Sequence, residues 1–324
     1  MHRENIKGGA LVISLDFELV WGIFDHINVK DKVAYFDNTL KAIPLMLELF
    51  EKYNIHVTWA TVGMLFNRNW EEWQENIPRM LPTYDNQNLN PYQFGQAHRK
   101  AGYDQYFFAP HLIRAIQELD FQEIGTHTYS HYYCLESGQN EAQFEADLEK
   151  ATELAKSMNI SLKSLVFPRN QFNIDYLRSC TKQGIDSVRS NPSVWYWDTM
   201  KPTTIKTKLF RTADAYLPFS SKSYNKDILT LESPLCQPAS RFLRPQHHIQ
   251  FLNNIHLQRI KQEMIEAAKK AEVYHLWWHP HNFGIDPQGA LKKLKNILDT
   301  YKYCKETFDF ESLNMQELHE TQTN

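Results

Sequence analysis

Leu11-Val12-Ile13-Ser14-Leu15-Asp16-Phe17-Glu18-Leu19 is an apolar run that carries two carboxylates. A short run of Leu, Val, Ile and Phe reads as a buried strand. Side chains alternate across a strand, so Asp16 and Glu18 project from one face while Phe17 points the other way. Acids sharing one face of a buried strand repel each other and lose hydration, which costs several kcal/mol unless a cation or strong donors compensate. The pair therefore points to a metal or to acid–base chemistry, the alternative being a strand end where both acids reach water.

Working outward, further strands are expected at residues 56–62, 124–126, 162–167, 187–189, 209–211 and 273–278. Between the first two strands, Leu40, Ile43, Leu47 and Phe50 recur at helical spacing, predicting a helix over 37–53 with Asn38 as N-cap. Pro44 predicts a kink there, or a start only near Ile43. Residues 141–158 and 257–271 read as amphipathic helices, and 175–183 as a shorter one ending at Gly184. Alternating strands and helices argue for parallel βαβ units in one α/β domain spanning residues 1–324. Two stretches break the rhythm. Residues 68–108 are rich in Asn, Gln, Pro and aromatics without periodicity, the mark of a long functional loop bordering a site, with few core residues. Residues 190–250 are turn-rich and read as an insertion decorating the same domain.

Composition narrows the function classes. The net charge of -3 offers no basic patch for nucleic acid. The four cysteines lie far apart without CxxC spacing, which suggests neither a disulfide framework nor a thiolate metal site. The polar start of the chain and the lack of any run of about 18 apolar residues predict no signal peptide and no membrane span, hence a cytoplasmic protein.

Three further stretches carry chemistry. In Ile124-Gly125-Thr126-His127-Thr128-Tyr129-Ser130-His131, an HxxxH pair on a helical turn would present both imidazoles on one side, at the separation that ligands of one metal need. With one carboxylate they would complete a three-ligand centre with an open position, as in hydrolytic metal sites. In Leu165-Val166-Phe167-Pro168-Arg169-Asn170, an Arg directly after an apolar strand is placed to orient an anion such as Asp16. In Tyr274-His275-Leu276-Trp277-Trp278-His279-Pro280-His281, strand periodicity puts His275, Trp277 and His279 on one face, and the strand-end position favours His279 for chemistry.

The order Asp16-x-Glu18, Thr126-His127-x-x-x-His131, Pro168-Arg169-Asn170, His279-Pro280 resembles the NodB-homology polysaccharide deacetylases of carbohydrate esterase family 4, over about residues 11–282. The resemblance implies a distorted (β/α) barrel that removes acetyl groups from N-acetyl sugars with one divalent metal ion, usually zinc. It casts Asp16 as catalytic base, His127 and His131 as metal ligands, Arg169 as the residue orienting the base and His279 as general acid. A backbone N–H within 129–132 would help the metal stabilise the oxyanion. Most members have adjacent Asp-Asp in the first motif, whereas here Phe17 takes the second position. That resembles a DxE branch and makes Glu18 the expected carboxylate ligand. Trp21, Asn170 and Trp278, beside these motifs, are expected substrate contacts. The expected substrate is a carbohydrate or small molecule, such as a nucleotide- or lipid-linked precursor of a surface polysaccharide. The rival readings are a hydrolase of cyclic imides, ureides or similar C–N bonds, and a catalytically silent glycan-binding protein.

Overall fold

The computed structural model describes residues 8–197, 204–217, 222–229 and 233–323. The run quoted first forms β1 (Ala10–Phe17), buried along its whole length. It is followed by β2 (Val57–Thr61), β3 (Gln122–Thr126), β4 (Ser164–Val166), β5 (Ser187–Ser190), β6 (Leu235–Pro238), β7 (Arg241–Phe242), β8 (Val273–Trp278) and β9 (Glu311–Leu313). The sheet runs β6-β5-β4-β3-β2-β1-β8-β7, with β9 beside the start of β1. Every one of these pairings is parallel. The result is the expected distorted (β/α) barrel. Its two edge strands belong to one extended run: Leu235 and Ala239 donate to Asp186 and Ser190 on one side, Ser240 and Leu243 to His275 and Trp277 on the other.

Strand alternation divides the apolar residues into two cores. Leu11, Ile13, Leu15 and Phe17 face outward and pack with Trp59, Trp278 and the surrounding helices. Ala10 and Val12 face inward, with Ala60, Val166, Val273 and Leu313. The helix Met315–Thr323 seats Met315 among these inner residues, at the end of the barrel where the strands begin. The Met315 N–H donates to Thr58 Oγ1 (2.8 Å), and its carbonyl accepts from Gln237 Nε2 (2.7 Å). With one end so plugged, the polar inward residues Ser14 and Asp16 lead to the opposite rim, where parallel strands collect their C-terminal ends.

Several expected elements differ. The first helix runs Val33–Tyr53 straight through Pro44, because a long buried face including Phe36, Ile43, Met46 and Phe50 outweighs one lost backbone bond. Asn38 lies inside it, and its amide donates to Gly284 O instead of capping. Residues 209–211 belong to the helix Ile205–Ala213, where a Thr204–Thr207 capping box overrides their β-like composition. The short strands β6, β7 and β9 carry too few residues for a readable period.

Residues 68–108 are not an irregular loop. They hold the helices Trp70–Glu75, Pro91–His98 and Asp104–Phe107, the first two capped by Asn69 and Asn90. Their aromatics build a packed layer around Trp21, which is fully buried. Its indole stacks on Trp73 at 6.4 Å, and Nε1 donates to Phe107 O at 2.8 Å. Trp278 is likewise buried on the outward face, stacked on Phe283. Neither tryptophan is therefore exposed to a ligand; both indoles serve packing. Among the described residues no helix is long and apolar enough to cross a membrane.

Trp21→Ala should cost about 3–5 kcal/mol of stability, the usual penalty for emptying a buried aromatic site. Urea unfolding measures it; unchanged stability with a raised KM would return Trp21 to the substrate.

Candidate active site

Glu18 sits one residue past β1, where Leu19 takes a positive φ of 45° and turns the chain across the barrel mouth. Its carboxylate occupies the space a side chain at position 22 would fill: a Cβ on Gly22 would lie 1.9 Å from Glu18 Cδ. Two strands away across β2, β3 ends at Thr126 and delivers His127. The HxxxH pair is not helical. Thr128 (φ 63°) and His131 (φ 58°) are both left-handed, and the segment is a compact loop. Thr128 Oγ1 accepts from Tyr132 N at 2.7 Å, and the buried Asp147 accepts from Tyr129 N at 2.7 Å and Ser130 N at 3.2 Å. Burial pushes the Asp147 carboxyl up to about 6 against those bonds. The amides of 129, 130 and 132 are thus already committed, and none of them is free for an oxyanion.

The loop aims both imidazoles at Glu18. His127 Nε2 lies 3.2 Å and His131 Nε2 3.0 Å from Glu18 Oε2. His127 Nδ1 is 2.8 Å from Val166 O, and a carbonyl only accepts, so this ring carries its proton on Nδ1. Its Nε2 lone pair then faces a carboxylate oxygen and is buried without a hydrogen-bond partner. Two lone pairs at this distance repel unless a cation lies between them. Burial, working against the pull of Glu18, lowers His131 to about 4, so this imidazole is neutral and free to ligate at pH 7. The three ligand atoms lie within 4.8 Å of one another, so the residues present fit a divalent metal.

Asp16 is compensated differently. Arg189, at the end of β5, grips it with both arms: Nη1 to Oδ1 at 2.7 Å and Nη2 to Oδ2 at 2.8 Å. Arg189 also donates to Ser14 Oγ (3.0 Å) and Asn170 Oδ1 (2.9 Å), and its guanidinium lies over the Trp277 ring. Burial alone would raise the Asp16 carboxyl; the charge and hydrogen bonds of Arg189, with His127 and His279, outweigh it and hold the group below its usual range. The pair therefore stabilises the fold above the unfolded value of about 3.9, and that contribution is lost as pH falls through the lower folded value.

Arg169 does not reach Asp16. The residue is left-handed (φ 55°), and its side chain turns to Asp25 and lies over the Tyr133 ring. Tyr133 OH is 3.2 Å from His131 Nδ1, so Arg169 stands behind a metal-ligand candidate. Asn170 does lie at the site, as a partner of Arg189. The signal that could have found Arg189 is its place in the strand: it shares an inward face with Ser187 and ends in a polar barrel mouth.

His279 completes the cluster, with Nε2 3.6 Å from Asp16 Oδ2 and 3.7 Å from Glu18 Oε1. The Asn282 amide donates to its Nδ1 at 3.3 Å, which puts the ring proton of the neutral form on Nε2. His281 stacks on it, with its buried Nδ1 3.7 Å from Glu18.

Gly22→Ala should displace the Glu18 carboxylate and weaken metal binding by about 10–100-fold, the usual effect of disturbing a ligand's support. Equilibrium dialysis against zinc reads this directly. Arg189→Ala leaves Asp16 buried and unpaired, with an expected loss of about 3–5 kcal/mol in urea unfolding.

The sequence model of the family described as polysaccharide deacetylase matches residues 27–188. The match starts after Asp16 and Glu18 and ends before Arg189 and His279. No curated protein matches the sequence. Among solved structures, the chain is similar to a putative polysaccharide deacetylase from Mycobacterium smegmatis, at 13% identity and a TM-score of 0.63, over 99% of this chain and 92% of that one. It is also similar to a probable polysaccharide deacetylase from Pseudomonas aeruginosa PAO1, at 11% identity and a TM-score of 0.58, over 96% and 90% of the two chains. A third similar fold is an allantoinase, at 12% identity and a TM-score of 0.57, over 99% and 97%. At such identities the structural likeness is one of fold. The family match covers half of the 324 residues, and the chain belongs to the polysaccharide deacetylase family.

Proposed function

We propose that the protein is a metal-dependent deacetylase of the DxE type, removing the N-acetyl group from a sugar that is a precursor or component of a surface polysaccharide. The observation that carries this reading is the position of Asp16 and His279, 3.6 Å apart, beside the Glu18–His127–His131 cluster. A base held ionised and a proton donor thus face the same point at which a metal would bind.

Glu18, His127 and His131 would hold the ion, zinc by the chemistry of two imidazoles and one carboxylate. When bound, it supplies Lewis acidity to the acyl carbonyl and to water. Asp16 accepts the proton of the attacking water, and the bidentate grip of Arg189 keeps its oxygens aimed while leaving it charged. As the imidazolium, His279 would give its Nε2 proton to the leaving nitrogen as the C–N bond breaks and return to the neutral ring, because an amide anion is too basic to depart. Acetate and the free amine are released. Arg189 is a positioning residue in this scheme.

Purified protein loaded with zinc should release acetate from N-acetyl sugars, and chelation should abolish the release. Asp16→Asn should keep the metal and lose turnover; loss of zinc in that variant together with its retention in Glu18→Gln would reverse the two acids. Arg189→Lys should move the acid limb of the kcat/KM profile to higher pH, since a weaker partner lets the Asp16 carboxyl rise. His279→Ala should lower amide hydrolysis by about 10²–10⁴-fold and ester hydrolysis less, because an alcohol leaves without the same help. Turnover of a cyclic ureide without acetate release from any N-acetyl sugar would move the reaction to ring-opening amide hydrolysis.

A further inference from the structure

Beside the barrel mouth lies a second cavity, of about 210 Å³, formed largely by the 190–250 region. Its lining includes Asn170 and Trp277, the same residues that hold Arg189 on Asp16. Phe242 forms part of its wall and packs edge-on against His279 at 5.5 Å. The cavity therefore opens directly beside the proposed reaction centre.

The lining charge is strongly unbalanced. Arg211, Lys222, Arg241 and Arg244 face the cavity, against the single carboxylate of Asp214. Lys222 and Arg241 are neutralised within a buried network: both pair with Asp214, and Arg241 also binds Glu263 at 2.5 Å. Arg211 and Arg244 stand outside it. Arg211 Nε donates to Tyr196 O (2.6 Å), and its guanidinium lies over Trp197 at 4.8 Å. Arg244 Nη2 donates to Arg211 O at 3.2 Å, which ties the two residues together. Neither has an ion-pair partner among the described residues. Burial lowers the pKa of both, and at Arg244 the neighbouring Arg241 adds to it against Tyr216 and Asp214. Partly buried guanidiniums with free donor arms, held by backbone carbonyls and aromatic faces, form a fork suited to the oxygens of a phosphate.

We infer that this cavity is an anion subsite in which Arg211 and Arg244 bind a phosphate ester carried by the substrate, so that the deacetylated sugar is a phosphorylated or diphosphate-linked one. The inference rests on the deacetylase reading for its neighbouring centre, while the binding itself does not depend on turnover. A phosphate held there sits on the Trp277 side of Asp16 and His279, leaving the Glu18 side for the acyl group. Trp197, Phe242 and Trp277 supply the apolar part of the cavity wall beside the guanidiniums.

The test is calorimetric titration of the full chain with inorganic pyrophosphate, in parallel with acetate release from an N-acetylhexosamine, its 1-phosphate and its uridine diphosphate ester. Pyrophosphate should bind, more weakly as salt rises, and binding should weaken by about 10–100-fold in Arg211→Ala and in Arg244→Ala. Arg244→Lys, which keeps the charge but loses the fork, should fall between and serves if an alanine variant misfolds. The preference for phosphorylated over neutral sugar should collapse in the same variants. A stronger response to the 1-phosphate than to the nucleotide ester would identify a monoester, and the reverse order a diphosphate link. Absence of pyrophosphate binding, or equal binding by wild type and all variants, would overturn the subsite even if acetate is released. Binding without acetate release from any sugar would instead overturn the deacetylase reading and leave the subsite standing.

Discussion

Two carboxylates, Asp16 and Glu18, each 2% exposed, lie at the mouth of the barrel, and much of the surrounding architecture answers the cost of burying them. The answers differ in kind. Asp16 receives a planar guanidinium, a fixed positive charge that fits both oxygens at once. Glu18 receives imidazoles on several sides, from His127, His131, His279 and His281, none of which is an obligate cation. One acid is thus permanently neutralised by protein, while the other is arranged to be neutralised by something that arrives. In the proposed reading, that asymmetry is what distinguishes Asp16 as base from Glu18 as ligand.

The strand alternation that made Asp16 and Glu18 legible as a pair also explains where reading the chain ran short. Runs of five or more residues with a clear apolar face, such as β1, β2 and β8, announce themselves. β7 has two residues and β9 three, and no periodicity can be read from so few. His127 and His131 were readable as a pair because they are close in sequence. Arg189 was harder to read, since its partner lies 173 residues away and only its place in a short strand marks it. Arg169 was the natural choice at the end of β4, but its left-handed backbone swings the side chain toward Asp25. Two of the amides within 129–132, those of Tyr129 and Ser130, are taken by Asp147.

Aromatic residues misled in the opposite direction. The tryptophans near residue 70 sit among polar neighbours in the sequence, and their stretch reads as a loop bordering a site. In the fold those polar neighbours are helix caps and exposed faces, while the indoles pack on one another. This layer flanks the barrel mouth: Tyr84 accepts from Tyr133 N at 2.8 Å, and Tyr133 touches His131. It therefore acts on the site as a rigid surround.

The extended run that supplies both β6 and β7 has a mechanical consequence. Arg189 comes from the strand on one side of that run and Trp277 from the strand on the other, yet the guanidinium and the indole must meet face to face. Because a single stretch of backbone is bonded to both neighbours, a slip of register on one side is transmitted covalently to the other. The shared stave works as a gauge block: its length sets the gap across which the two halves of the site meet, and an insertion near Ala239 or Ser240 would put them out of alignment without touching any residue of the active centre.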